Sequence, residues 1–363
     1  MTEKNIEFRF PELKWSHTDN AVGRAISYTL GKITKETNLD KGIKRPISLR
    51  SERADIYNEI LKTKDRDKKV SLIEKAHELD NLFSQFHKGK KSIEVEIEGL
   101  GKQSAEYAEL KSKDADLNKA PIVLILGISN DLDGAGDFPI KLAMVSKRKT
   151  VVFTYPESWH GKVTKEFGEA VGKSDKFKPH VDFFRSAINQ VVGSETEIDI
   201  CGISAGAIMT SELIKDKEFN KRINQANLIV PPGIVDMDMK NVIKGLSREF
   251  KSLIFNKKDS RKISILNPEK IKKTADERKN AIVTFTNLAK KLSQEYPWWK
   301  SELLSGKGRK TKVIICEQDG VTNGVDGLEK IKENKNLEVV LMKNSSHETP
   351  ASNPEGVIEQ MTV

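Results

Sequence analysis

The stretch Glu197-Ile-Asp-Ile-Cys-Gly-Ile-Ser-Ala-Gly-Ala-Ile-Met-Thr-Ser-Glu-Leu-Ile-Lys215 runs an apolar strand pattern into Gly202-Ile203-Ser204-Ala205-Gly206 and straight out into an apolar helix pattern. A G-x-S-x-G turn between a strand and a helix lifts its serine oxygen above the sheet end, where the oxygen can act as a nucleophile. The positions two before and two after the serine press on neighbouring backbone, and glycine fits there because it has no side chain. The helix that follows opens with unpaired N–H groups and roughly half a positive charge.

Outward from this turn the pattern repeats. Pro121 to Leu126 and Thr150 to Tyr155 are continuous apolar runs, as expected of strands buried on both faces. Ile198 to Cys201, Asn227 to Val230, Lys312 to Cys316 and Leu337 to Met342 add further short strands, and Val181 to Val192 reads as a helix with Phe184, Ile188 and Val191 aligned. Ile93-Glu94-Val95-Glu96-Ile97 alternates as a half-exposed strand that Ser104 to Leu110 pairs with. Strands alternating with helices predict an α/β fold, a mostly parallel sheet covered on both faces.

Two segments stand outside the alternation. Residues 1–90 read as an N-terminal helical extension, with helices from about Asp19, from Ser51 (Ile56, Ile60, Leu61) and from Val70 to Phe86 (Ile73, Ala76, Leu79, Phe83, Phe86) whose stripes pack on the main domain. Residues 235–310 hold Lys-rich helical patterns, then Pro297-Trp298-Trp299 and Ser305-Gly306-Lys307-Gly308, and read as an inserted cap over the strand ends. The core domain is then 91–234 with 311–363.

Composition narrows the class. The chain has 363 residues, 37% hydrophobic, and a formal net charge of +9. That is enough apolar content for a sizeable core and too much for disorder, with no apolar run long enough to span a bilayer. The charge is spread as alternating Lys and acid, as in Lys64-Asp65-Arg66-Asp67-Lys68-Lys69, the pattern of a solvated surface. The basic stretch 41–53 has no interleaved aromatics, so no nucleic-acid partner is expected. The N-terminus shows no secretory signal, and the two cysteines, Cys201 and Cys316, sit in strand patterns; a cytoplasmic location is expected.

A serine hydroxyl needs a base within hydrogen-bond reach, and the base needs an orienting group. Histidine suits the base role because its unperturbed pKa lies near neutrality. Of the six histidines, His347 is the one that follows the last strand, in Asn344-Ser345-Ser346-His347, and Asp319 follows the strand before it. Asp236 and Asp238, after the preceding strand, are the alternative acids.

With Ser204, Asp319 and His347 in this order past strand ends, residues 92–363 resemble the α/β-hydrolase-fold serine hydrolases. The resemblance implies an eight-stranded, mostly parallel sheet with flanking helices and a cap after the sixth strand. It implies Ser204 as nucleophile, His347 as general base and Asp319 as its orienter, with an oxyanion hole from the N–H groups of Ala205 and Ile128. It also separates the strands of Cys201 and Cys316, so no disulfide is expected. The implied activity is cleavage of a small-molecule carboxylic ester or related acyl bond. Ser rather than Asp at 204 speaks against haloalkane or epoxide chemistry, and no His-Gly-Gly-Gly run is present. The acidic loop Asn130 to Asp137 has no counterpart in this reading.

Weaker signals fall away. Gly172-Lys173-Ser174 mimics a P-loop end, but Phe167 stands where the first glycine belongs. Asp131, Asp133 and Asp137 echo a calcium loop, yet Ala135 and Leu142 occupy ligand positions, and His17, His77, His87 and His180 lack metal-ligand spacing. Neither metal nor cofactor is therefore expected. Trp159, Trp298 and Trp299 are candidates for the substrate pocket, the first with a surface loop contact as its equal alternative and the last two with cap core as theirs. The rival functions are an amide or peptide hydrolase with the same triad, and a binding protein on a hydrolase scaffold. The oligomeric state is left open.

Overall fold

The computed structural model describes residues 49–361 apart from 129–131, 133–134, 159, 175–176, 238–273, 306–310 and 348. The helix expected from Asp19, Asp238 and Trp159 lie outside the described residues, as does much of the Lys-rich insertion. The described residues all lie within one compact unit.

The sheet has eight strands: β1 (Lys91–Ile97), β2 (Gly101–Leu110), β3 (Ile122–Ile125), β4 (Thr150–Phe153), β5 (Ile198–Ile203), β6 (Ile223–Ile229), β7 (Thr311–Cys316) and β8 (Leu337–Met342). Their spatial order is β1-β2-β4-β3-β5-β6-β7-β8. The β1–β2 and β2–β4 pairs are antiparallel, and every pair from β4 to β8 is parallel. Strands β3 to β8 therefore end at one rim. The order reverses between β3 and β5, since β4 returns on one side of β3 and β5 departs on the other. A crevice at the carboxyl ends of strands around such a switch point is where α/β sheets hold ligands.

Side-chain alternation divides the interior into two cores. Val123 and Ile125 of β3, Val151 and Phe153 of β4, and Val313 and Ile315 of β7 face one layer. Ile122, Leu124, Val152, Ile314 and Cys316 face the other. The first layer holds α4 (Lys165–Lys173), α5 (Lys178–Val192), α6 (Ala205–Lys215) and α7 (Ala275–Leu292). The second holds α1 (Leu49–Lys62), α2 (Arg66–His87), α3 (Phe138–Ser146) and α8 (Pro354–Gln360).

Helices α1 and α2 thus cover the sheet through Leu49, Ile56, Ile60, Ala76, Leu79, Leu82 and Phe86. Each large side chain so buried stabilises by about 1.5–3 kcal/mol. The stripe of α1 differs from expectation at Leu61, whose side chain is 73% exposed. Adjacent residues on a helix point about 100° apart, so Ile60 takes the buried face and Leu61 cannot share it. On α2 the expected Ala76, Leu79 and Phe86 are buried, Ile73 and Phe83 are half-buried against the same core, and Leu82 joins them as a buried residue. From the insertion, α7 opens with a capping box of Thr274 and Glu277 and lies against α4. Gly172 presses on Asn287 of α7 there, and no strand leads into it, so the P-loop likeness has no structural counterpart.

Candidate active site

The turn at Ser204 is built by two close approaches. A Cβ on Gly202 would lie 2.2 Å from the carbonyl oxygen of Gly206, and a Cβ on Gly206 would lie 2.2 Å from the carbonyl oxygen of Ile125 on β3. No other residue fits at either place without moving backbone. Between them Ser204 takes φ 54° and ψ −122°, a left-handed conformation that L residues rarely adopt. Its N–H donates to the Ile229 carbonyl of β6 at 2.8 Å, and its carbonyl accepts from Ala207 N–H at 2.9 Å. A serine ahead of a helix commonly turns its hydroxyl inward to cap the N–H groups of the first turn. Ser204 makes no such bond, because the positive φ points its side chain away from α6. The hydroxyl is left at the rim, half-buried.

Asp319 lies three residues past β7 and is buried. Its Oδ1 accepts from the N–H groups of Val321 and Thr322, both at 2.9 Å. Its Oδ2 accepts from the Thr322 hydroxyl at 2.6 Å and stands 2.9 Å from His347 Nδ1. Burial alone would raise the carboxyl pKa; His347 and Thr322 outweigh it and hold the group below its ordinary value. An ionised Asp319 can only accept, so His347 Nδ1 carries the proton of this bond, and Nε2 is the ring nitrogen left outside it.

The two loops are stitched to each other. Glu317 N–H donates to the Met342 carbonyl at 3.0 Å and Gln318 N–H to the Ser345 carbonyl at 2.7 Å. Asn344 N–H donates to Glu317 Oε2 at 2.8 Å. Parallel pairing of β7 with β8 brings these loops together, and the bonds set the His347 ring against Asp319. Asp236 is engaged elsewhere, accepting from Glu295 N–H at 2.6 Å.

Ser204, Asp319 and His347 follow β5, β7 and β8 at the same rim, and Ile128 follows β3 across the switch point. Ile125 is in register with Gly202, so the start of α6, with the Ala205 N–H, sits beside the chain leading to Ile128. Among the described residues no hydrogen bond joins the Ser204 hydroxyl to the His347 imidazole. Such bonds are often long in ligand-free sites and tighten on binding.

Other candidates are placed differently. Trp298 and Trp299 are 0% and 1% exposed, with rings crossing edge-to-face at 5.9 Å. Trp298 Nε1 donates to the Pro232 carbonyl at 3.1 Å. Both fill the core on the α6 side of the sheet and offer no surface to a ligand. Cys201 and Cys316 are not disulfide-bonded and are buried on β5 and β7, with β6 between them. His180 is buried with its Nε2 3.1 Å from each oxygen of Glu157. Among the described residues no group of three or more His, Cys, Asp or Glu could hold a metal, and no helix is long and apolar enough to cross a membrane.

Sequence reasoning missed Thr322, the residue that holds Asp319 most directly. The spacing Asp319-Gly-Val-Thr322 carried the signal: an Asp whose side chain accepts from backbone N–H groups two and three residues on forms a local turn.

No protein-family model matches the chain, and no curated protein matches it significantly. Solved structures do. A probable hydrolytic enzyme from Pseudomonas aeruginosa PAO1 is 11% identical, with a TM-score of 0.54, over 76% of this chain and 94% of that one. The thioesterase domain from the curacin biosynthetic pathway is 12% identical, with a TM-score of 0.52, over 74% and 98%. An alpha/beta hydrolase fold protein from Chitinophaga pinensis is 14% identical, with a TM-score of 0.48, over 74% and 94%. With the strand order and the serine turn described above, the first two of these likenesses establish that the chain has the α/β-hydrolase fold.

Proposed function

We propose that this chain is a serine hydrolase that cleaves carboxylic esters or related acyl bonds through an acyl-enzyme. Ser204 Oγ attacks the carbonyl carbon while His347 Nε2 takes its proton. Asp319 holds the ring by Nδ1 and stabilises the imidazolium that forms. The N–H groups of Ala205 and Ile128 receive the oxyanion, each such donor typically worth about 3 kcal/mol of barrier. Collapse expels the alcohol with the proton from His347, and water then repeats the sequence on the acyl-enzyme.

One observation carries this reading: a buried, ionised Asp319 fixes the His347 ring at the rim where a strained turn exposes Ser204, its hydroxyl spared from helix capping. Amide cleavage would use the same groups, and a panel of acyl esters against aminoacyl amides decides the preference. The test of the centre itself is covalent labelling by a fluorophosphonate probe. The wild-type chain takes up the probe and Ser204→Ala does not, with turnover falling steeply, on the order of 10⁶ as in another triad. Equal labelling of the two proteins would overturn the assignment.

A further inference from the structure

A second set of charges ties together three segments that the triad leaves unlinked. Leu49, the first residue of α1, donates its buried N–H to Asp137 Oδ2 at 2.7 Å. Asp137 closes the acidic loop ahead of α3. One turn further on, the Lys141 ammonium lies 2.8 Å from Glu52 Oε2 and 2.5 Å from Glu355 Oε1. Glu52 stands in the first turn of α1 and holds Lys75 of α2 with its other oxygen at 2.8 Å, while Glu355 stands in the first turn of α8.

The Lys141 side chain is only 8% exposed. Burial pushes its pKa down, but the carboxylates of Glu355 and Glu52 outweigh that and hold it above the ordinary lysine value. Packing alone does not call for this charge. An apolar residue of similar volume can fill such a site without burying an ammonium, so a fixed arrangement of its partners is the role that this buried charge can add beyond packing.

The partners here bear on the reacting groups. Helix α3 ends the loop that Gly127 and Ile128 open. Helix α8 ends the segment that follows His347. The two segments also touch directly: Gly136, at φ +65°, would place a Cβ 3.2 Å from Ala351 Cβ. Phe138 and Leu142 of α3 share one core with Val357 and Ile358 of α8 and with Leu49 and Ile56 of α1.

We propose that Lys141 is a positioning residue for acyl transfer: by holding Glu355 and Glu52 together it sets the helix behind Ile128 in register with the helix behind His347, and makes α1 part of the scaffold on which the reaction depends. This inference rests on the acyl-transfer reading above.

The test uses the full chain and three variants, Lys141→Met, Lys141→Arg and Glu355→Ala. Steady-state hydrolysis of a short-chain p-nitrophenyl ester and the rate of fluorophosphonate labelling are measured well below each variant's unfolding midpoint. Lys141→Met and Glu355→Ala should lower kcat and the labelling rate about tenfold, the scale of a slight misplacement of reacting groups. KM should move less than about twofold, and Lys141→Arg should restore most of the rate. A lower unfolding midpoint with kcat unchanged would mean that Lys141 only stabilises, and would overturn the proposal. If Lys141→Met does not fold, Glu355→Ala decides, because the Glu355 side chain is 53% exposed and its loss leaves no buried gap. A wild-type chain inert to both probe and ester ends the acyl-transfer reading and this inference with it. A reactive wild type beside unaltered variants ends this inference alone.

Discussion

Replacing Ser204 by glycine should leave a more stable protein than replacing it by alanine, and both changes remove the proposed nucleophile. Ser204 is held at φ 54°, ψ −122°, where a residue with a Cβ stores roughly 1–3 kcal/mol of backbone strain. Ser204→Ala is the proper reference, because it removes the same oxygen and keeps the Cβ. Going on from alanine to glycine relieves the strain, about 2 kcal/mol at mid-range. Against this, glycine adds about 0.7 kcal/mol of unfolded-chain entropy. It also gives up a half-buried methyl group, about 0.4 kcal/mol. The balance leaves Ser204→Gly more stable than Ser204→Ala by about 1 kcal/mol. Urea denaturation measures it: with a slope near 3 kcal/mol per molar, the midpoint of the glycine variant should lie about 0.3 M higher. At an ordinary φ the same change costs about 1 kcal/mol instead. A glycine variant less stable than the alanine variant would therefore refute the claim that the turn is strained, and with it the reason given for the hydroxyl's exposure at the rim.

Two further outcomes follow from the acid and the buried lysine. Thr322→Val removes one of the two hydrogen-bonded partners of Asp319 Oδ2 and should cost about 2 kcal/mol of stability, with a fall in kcat/KM that Thr322→Ser largely reverses; unchanged kinetics in the valine variant would show that the Thr322 hydroxyl is not needed to orient the carboxylate. The folded pKa of Asp319 lies below its ordinary 3.8, so the unfolded chain binds more protons between the two values; its contribution is present above about pH 4 and lost as pH falls through the folded value. Lys141 is raised above 10.5, so its contribution is complete below about pH 10.5 and lost as pH rises through the folded value. Urea midpoints across pH check both limbs: Lys141→Met should show a shallower alkaline decline than wild type, and a parallel decline in wild type and variant would assign that limb to other groups raised by folding, such as Tyr57 and Tyr155.

Most of the sheet was legible because its strands are buried on both faces. Pro121 to Leu126 and Thr150 to Tyr155 are short runs rich in apolar and β-branched residues, too brief for an ordinary helix and suited to a strand. Strand β6 was read only from Asn227, since Asn224 and Gln225 break the apolar run; pairing with β5, not composition, extends the strand back to Ile223. Helix α4 went unread because its buried residues, Phe167, Gly168 and Val171, include a glycine that marks a close helix crossing and carries no hydrophobic signal. The Ser204 turn was legible from spacing, and Asp319 with His347 from their places after strands. The Lys141 cluster was not: its partners Glu52 and Glu355 are 89 and 214 residues away, and nothing in a single sequence links charges at such distances. The acidic loop gains a partial account in Asp137, whose carboxylate receives the first N–H of α1.

The strand order has a consequence for how the molecule would fail under stress. Strand β5 is enclosed by β3 on one side and β6 on the other, so the backbone amides leading to Ser204 should exchange with solvent only when the whole sheet opens. Strand β8 is the last in the order, with one neighbour, and the segment bearing His347 hangs from its end. Mild heat or denaturant would fray that margin first. The proposed acyl transfer would then vanish, reversibly, while Ser204 still sat in an intact interior.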